Sequence, residues 1–225
     1  MLQLGGLVPL TSIDYPGHLA AVLFCQGCPW HCRYCHNPHL LPVDVPGKHV
    51  WEDVMAFLRA RVGFLDAVVF SGGEPLLQPR LPEAMRAVKA LGFKVALHTA
   101  GIIPSRLAKV LPYVDWVGLD IKAPFHIYKK VTGLAGSGFK AEESLDLLLA
   151  ARHVDYEIRT TVDPDLLGQD DLERLAETLQ QRKIKRHVIQ HCRHVETLGY
   201  FCLSGNPGES FPSFKIRTSR QHAAD

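Results

Sequence analysis

The sequence predicts an α/β fold, an open partial (βα)6 barrel, and three observations carry the prediction. Short β-branched runs alternate with segments of helical period, which implies parallel strands joined by right-handed crossovers. Six such units recur, fewer than the eight of a closed barrel. Chemically unusual residues fall repeatedly just past the ends of the strand runs, where ligands bind in parallel α/β folds.

The strand runs cover residues 20–24, 67–70, 94–98, 116–120, 156–162 and 187–190. Helical patterns cover 51–60, 81–91, 105–110, 141–151 and 170–181. In the last, Leu172, Leu175, Ala176 and Leu179 recur at helical spacing with charges on the other face. Residues 1–200 form the expected barrel domain. The tail, 201–225, reads as loosely ordered: Gly205-Asn206-Pro207-Gly208 is turn chemistry, and Phe211-Pro212-Ser213-Phe214 lacks periodicity.

Bulk properties narrow the function classes. At 225 residues, 47% hydrophobic and 21% charged, the chain suits one soluble domain with a sizeable core. A net charge of +2 gives no electrostatic case for nucleic-acid binding. The apolar run 19–24 is too short to span a bilayer, and Met1-Leu2-Gln3-Leu4-Gly5-Gly6 has no export-signal character. No membrane partner is expected, and a cytoplasmic location is. Six cysteines then read as thiolate ligands or buried thiols.

The chemistry concentrates on the strand ends. After the first run, Cys28, Cys32 and Cys35 lie at C-x3-C-x2-C spacing. A [4Fe–4S] cluster has four irons, so three thiolates would leave one iron open, as a catalytic metal site requires. Two other readings stay open. Cys25 completes a four-cysteine set for a zinc knuckle, although its spacing is tighter than a zinc ribbon's. An electron carrier would need a further cysteine group, for which only the separated Cys192 and Cys202 are present.

The second run ends in Ser71-Gly72-Gly73-Glu74-Pro75. Its glycines suit either a strained turn or close approach of backbone to a small ligand, with Glu74 accepting from a cation such as an ammonium. The third run ends in His98-Thr99 and the fourth in Asp120-Ile121-Lys122, where a rim salt bridge is the plainer alternative. The fifth carries Arg159, a carboxylate partner or a solvated charge, and the sixth ends at His191.

Taken together, the cysteine loop followed by Gly72-Gly73-Glu74-Pro75 resembles the radical S-adenosylmethionine (SAM) superfamily. Ser12-Ile13-Asp14-Tyr15-Pro16-Gly17, Cys35-His36-Asn37-Pro38, Asp120-Ile121-Lys122-Ala123-Pro124 and Tyr156-Glu157-Ile158-Arg159-Thr160-Thr161 resemble, more narrowly, the activating proteins of anaerobic ribonucleoside-triphosphate reductase. The resemblance spans residues 5–191 and leaves out the tail.

It implies a partial barrel of the radical SAM type. Cys28, Cys32 and Cys35 would hold the [4Fe–4S] cluster, and SAM would chelate its open iron. Tyr34 would lie beside the adenine, Gly72, Gly73 and Glu74 would meet the methionine ammonium, and Thr99, Asp120, Lys122, Arg159 and His191 would line the cavity. Related activases tend to carry an aspartate that helps bind a cation where this chain has His98. The implied reaction is reductive cleavage of SAM to a 5′-deoxyadenosyl radical, which removes hydrogen from a glycine of the reductase. A one-electron donor such as flavodoxin or ferredoxin is the second implied partner. A small radical SAM enzyme acting on a small molecule, of the 7-carboxy-7-deazaguanine synthase kind, is the alternative.

Overall fold

The computed structural model describes residues 2–192 and the two-residue strand Lys215–Ile216. One sheet of eight strands runs in sequential order: β1 (Leu4–Thr11), β2 (Ala20–Cys25), β3 (Ala67–Gly72), β4 (Lys94–Thr99), β5 (Trp116–Asp120), β6 (Asp155–Val162), β7 (His187–His191) and β8 (Lys215–Ile216). From β2 to β8 every pairing is parallel. Helices α1 (Trp51–Arg59), α2 (Leu81–Ala90), α3 (Pro104–Val110), α4 (Tyr128–Thr132), α5 (Ser137–Ala150) and α6 (Gln169–Gln181) occupy the crossovers.

Strands β2 to β7 are the six expected from the sequence, each within two residues at either end. Strand β1 was not expected. Its Gly5, Gly6 and Pro9 depress strand character, but among the named strands it pairs only with β2, antiparallel and with two register shifts. An edge strand tolerates proline, because one side of its ladder is unpaired. Helix α4 was also unexpected; it is five residues long and stops at Gly133, whose φ of +74° is the left-handed cap a glycine supplies. Of the tail, Lys215–Ile216 joins the sheet as β8, and the rest lies outside the described residues.

The period-2 alternation of the strands separates two cores. On the helix side Leu23, Phe70, Leu97, Leu119 and Ile158 are fully buried against Leu58, Met85, Leu107, Leu145 and Leu175. On the concave side Ala20, Val22, Ala67, Val69, Ala96 and Trp116 form a smaller cluster with Tyr15. That concave core fills the end where the parallel strands begin, and the same face turns polar towards their carboxyl ends with His98, Asp120, Glu157 and Arg159. Residues 12–17 fold under the apolar end: Tyr15 stacks on Trp116 at 5.5 Å and on His18 at 4.1 Å. The fold therefore has a sealed floor and a polar rim. Among the described residues no helix is long and apolar enough to cross a membrane.

Candidate active site

The cysteine loop leaves the carboxyl end of β2 and is tied down on several sides. The Gly27 amide donates to the Leu40 carbonyl at 2.8 Å and the Cys28 amide to that of Leu41 at 3.1 Å, which closes the loop at its root. Trp30, 1% exposed, meets the Tyr128 ring edge-on at 5.8 Å, and the His31 amide donates to the Thr132 carbonyl at 3.1 Å. Across the rim, Arg33 pairs with Asp165 at 2.6 Å and with the buried Asp163 at 3.5 Å. Each tie joins the loop to a segment following a different strand, β5 for α4 and β6 for the two aspartates.

Cys28, Cys32 and Cys35 are free, half-buried thiols on this loop. Burial pushes Cys28 up to about 12, with the nearby Glu74 charge adding to it. Burial also raises Cys32 and Cys35, while Lys122 pulls in the opposite direction. Without metal the thiols hold their protons, and metal binding displaces them. Among the described residues no three His, Cys, Asp or Glu side chains converge on one metal ion. A zinc knuckle needs such convergence, whereas in a cluster each thiolate takes its own iron. Cys25, fully buried as the last residue of β2, is a core thiol. Cys192 is disulfide-bonded, which corrects the expectation of ligands or buried thiols at that position.

The glycine–glutamate turn after β3 locks the root of the loop. Gly72 adopts φ +116°, and a Cβ there would stand 2.3 Å from the Cys25 nitrogen; one on Gly73 would stand 2.4 Å from the Gly27 oxygen. The close approach these glycines permit is to the chain's own backbone: the Gly73 amide donates to the Cys25 carbonyl at 2.9 Å and the Glu74 amide to that of Gly27 at 2.8 Å. Glu74 is 1% exposed, and its carboxylate accepts from the Thr99 hydroxyl at 2.6 Å and the amides of Leu76 and Ala100 at 2.9 Å. A carboxylate has about four acceptor positions, so one remains. Burial outweighs these bonds and raises Glu74 to about 6. Thr99 thus serves Glu74.

A second constellation stands on the concave side. Asp120 accepts from Lys122 at 3.1 Å and from Arg159 at 3.0 Å. Burial disfavours its charge, yet Lys122 and Arg159 overcome this and hold it at about 2. Arg159 also donates to the Gly118 carbonyl at 3.2 Å and lies across Gly118, where a Cβ would sit 2.8 Å from the guanidinium carbon. Lys122 rests 5.7 Å from the Tyr34 ring centre. Tyr34 is 5% exposed, and its hydroxyl is buried with no hydrogen-bond partner among the described residues.

His98 and the expected cavity residue His191 stand elsewhere. His98 bonds the Asp14 backbone carbonyl at 2.7 Å and meets Trp116 edge-on at 5.6 Å, so its ring seats the segment that closes the floor. His191 ends β7 opposite Val162, and strand alternation puts it on the helix-side face with Ile189, whereas Gln190 and Thr161 occupy the concave face. Sequence reasoning missed Trp30, Tyr128, Arg33 and the Gln26–Gln78 pair, in which the Gln78 side chain donates to the Gln26 carbonyl at 2.7 Å. An apolar tryptophan between two ligand-type cysteines was the one available signal.

The cofactor fit can be judged from these atoms. Three protonated thiols on one loop, one open acceptor position on Glu74 and an unsatisfied tyrosine hydroxyl beside a cation suit a cluster together with a ligand carrying an ammonium and further polar groups.

Known proteins bear on the family of this chain. Residues 22–182 match the family model for the radical SAM superfamily. A Methanocaldococcus jannaschii protein bearing the name of a glycyl-radical enzyme activating enzyme is 33% identical over 78% of this chain and 74% of its own length. The pyruvate formate-lyase-activating enzyme of Clostridium pasteurianum is 31% identical over 96% of this chain and 90% of its own. Among solved structures, anSMEcpe with bound AdoMet aligns at a TM-score of 0.60 and 19% identity over 74% of this chain, which spans about half (49%) of that protein. QueE from Escherichia coli aligns at 0.53 and 16% identity, over 88% of this chain and 86% of its own. At such identities the structural matches speak for the fold alone. The family model and the two relatives above 30% identity speak for more: this chain belongs to the radical SAM superfamily and, within it, to the activating enzymes of glycyl-radical enzymes.

Proposed function

We propose that the chain installs a glycyl radical on an anaerobic ribonucleoside-triphosphate reductase. The observation that carries the reading is the placement of the three-cysteine loop, Glu74 and the Asp120–Lys122–Arg159 group together on one polar rim above a sealed floor. When bound, a [4Fe–4S] cluster and SAM supply reductive cleavage of the sulfonium and a radical able to take hydrogen from a glycine Cα. Cys28, Cys32 and Cys35 would hold the cluster, iron displacing the protons of the raised thiols into solvent.

The remaining acceptor position of Glu74 would take the methionine ammonium, and Thr99 keeps that carboxylate aimed. Tyr34, backed by Lys122, would flank the adenine and give its buried hydroxyl a partner. Asp120 and Arg159 form the polar wall opposite. The protein's own contribution is orientation and exclusion of water.

The choice of reductase rests on the motifs Ser12–Gly17, Cys35–Pro38, Asp120–Pro124 and Tyr156–Thr161. The relative named for pyruvate formate-lyase supports a second protein substrate, pyruvate formate-lyase itself. Anaerobic reconstitution tests the chemistry: about four irons per chain and 5′-deoxyadenosine from SAM and dithionite, both lost in Cys32→Ala. A glycyl signal in electron paramagnetic resonance, on mixing with purified reductase or with the lyase, then selects the substrate. Bound zinc without SAM cleavage would overturn the reading.

A further inference from the structure

We propose that α4, the turn leading into α5 and the outer side of the cysteine loop together form the docking surface for a small acidic one-electron carrier protein. The inference rests on the proposed function, which consumes one electron for each SAM cleaved.

Charge marks the surface out. The chain carries 23 Asp and Glu, yet neither residues 26–43 nor residues 121–141 contain one. The fold brings these two segments together, through the contact of Trp30 with Tyr128 and the bond from His31 to Thr132. His31, His126, Lys129, Lys130 and Lys140 are all exposed there. Among the described residues neither Lys129 nor Lys130 forms a salt bridge.

Four of the acids that border the surface are paired, while exposed Glu143 forms no salt bridge among the described residues. Arg33 holds Asp163 and Asp165, and Arg182 holds Glu142 and Asp146. Leu134, 40% accessible, adds exposed apolar area in the turn after α4.

Position favours electron entry. Trp30 lies between Cys28 and Cys32, and the ring it packs against, Tyr128, directly precedes Lys129. A carrier seated on the lysines is therefore one element, α4, away from the cysteine loop. In the step itself the reduced carrier loses one electron and the cluster gains it; no atom or proton moves. Clustered charge of one sign steers an opposite partner and makes its binding salt-dependent.

The test is titration of purified flavodoxin against the reconstituted enzyme at low and high salt, for the wild type and for Lys129→Glu/Lys130→Glu. The double variant is expected to bind flavodoxin at least about tenfold more weakly at low salt and to lose most of the salt dependence. Its dithionite-driven 5′-deoxyadenosine formation stays at the wild-type level, because neither lysine touches the cysteine loop's ligands. Affinity within about twofold of wild type, equally at both salts, would overturn the proposal. So would unchanged flavodoxin affinity with lost glycyl-radical formation, which would give the surface to the protein substrate. A wild type that binds flavodoxin but cleaves no SAM with dithionite would overturn the proposed function and not the docking surface.

Discussion

Replacing Asp120 with Asn removes the negative charge that links Lys122 and Arg159. In the folded chain its carboxyl lies at about 2 against an ordinary 3.8. Each tenfold change in a protonation equilibrium is worth about 1.4 kcal/mol, so the ionised carboxylate contributes on the order of 2 kcal/mol at neutral pH. Asp120 retains 29% of its side-chain surface exposed, so screening trims that figure, whereas Lys122 and Arg159 retain 10% and 12%. The variant loses more than the wild-type interaction, because two nearly buried cations then lose the carboxylate they share; a cost of about 3 kcal/mol is expected.

The sign with pH follows from the depressed value. The stabilisation is present above pH 3.8 and is lost as pH falls through about 2, with roughly half remaining at pH 3. Urea unfolding of the cofactor-free chain at pH 7 and pH 3 checks this. The gap between wild type and Asp120→Asn should narrow towards acid. A gap under about 0.5 kcal/mol, or one equal at both pH values, would refute the reasoning that the trio is a coupled, partly desolvated unit.

Two further outcomes follow. Gly72→Ala forces a side chain into φ +116° and puts a Cβ 2.3 Å from the Cys25 nitrogen, so the urea midpoint should drop by the equivalent of at least about 3 kcal/mol with unchanged slope; a loss under about 1 kcal/mol would show that β2 and β3 yield easily. Burial, helped by Arg159, lowers His98 to about 4 from 6.5, so its contribution is full above pH 6.5 and is lost as pH falls through about 4. His98→Gln keeps an N–H for the Asp14 carbonyl while removing the titration, and should make the fall in stability between pH 6.5 and 4 shallower by up to about 3 kcal/mol; parallel curves would sink the assignment.

Much of the frame was legible without coordinates. Six parallel strands are readable because each is a short β-branched run that must be buried on both faces, and the crossover helices because their apolar stripes recur at 3.6 residues. Cysteine spacing is local, so the cluster loop was visible too. Strand β1 escaped because the glycines and the proline that an edge position tolerates are the residues that weaken a strand pattern. Helix α4 escaped because five residues cannot display a period.

Roles were harder than positions. Glu74 was recognisable as special, yet Thr99's service to it depends on two strand ends meeting across 25 residues. His98 is a polar residue at a strand end like its neighbours, and only the chain folding beneath the barrel turns it into the seat of the floor. His191 was assigned to the rim by position, and the alternation of β7 sends it to the helix side.

The sequence by itself determined which residues are candidates for the chemistry and along which order of elements they come, since spacing and period are properties of neighbours along the chain. Only the tertiary structure decided which of them share a charge, a hydrogen bond or a face. Those interactions decay within a few ångströms, and proximity across 39 residues, as between Asp120 and Arg159, is created by folding alone.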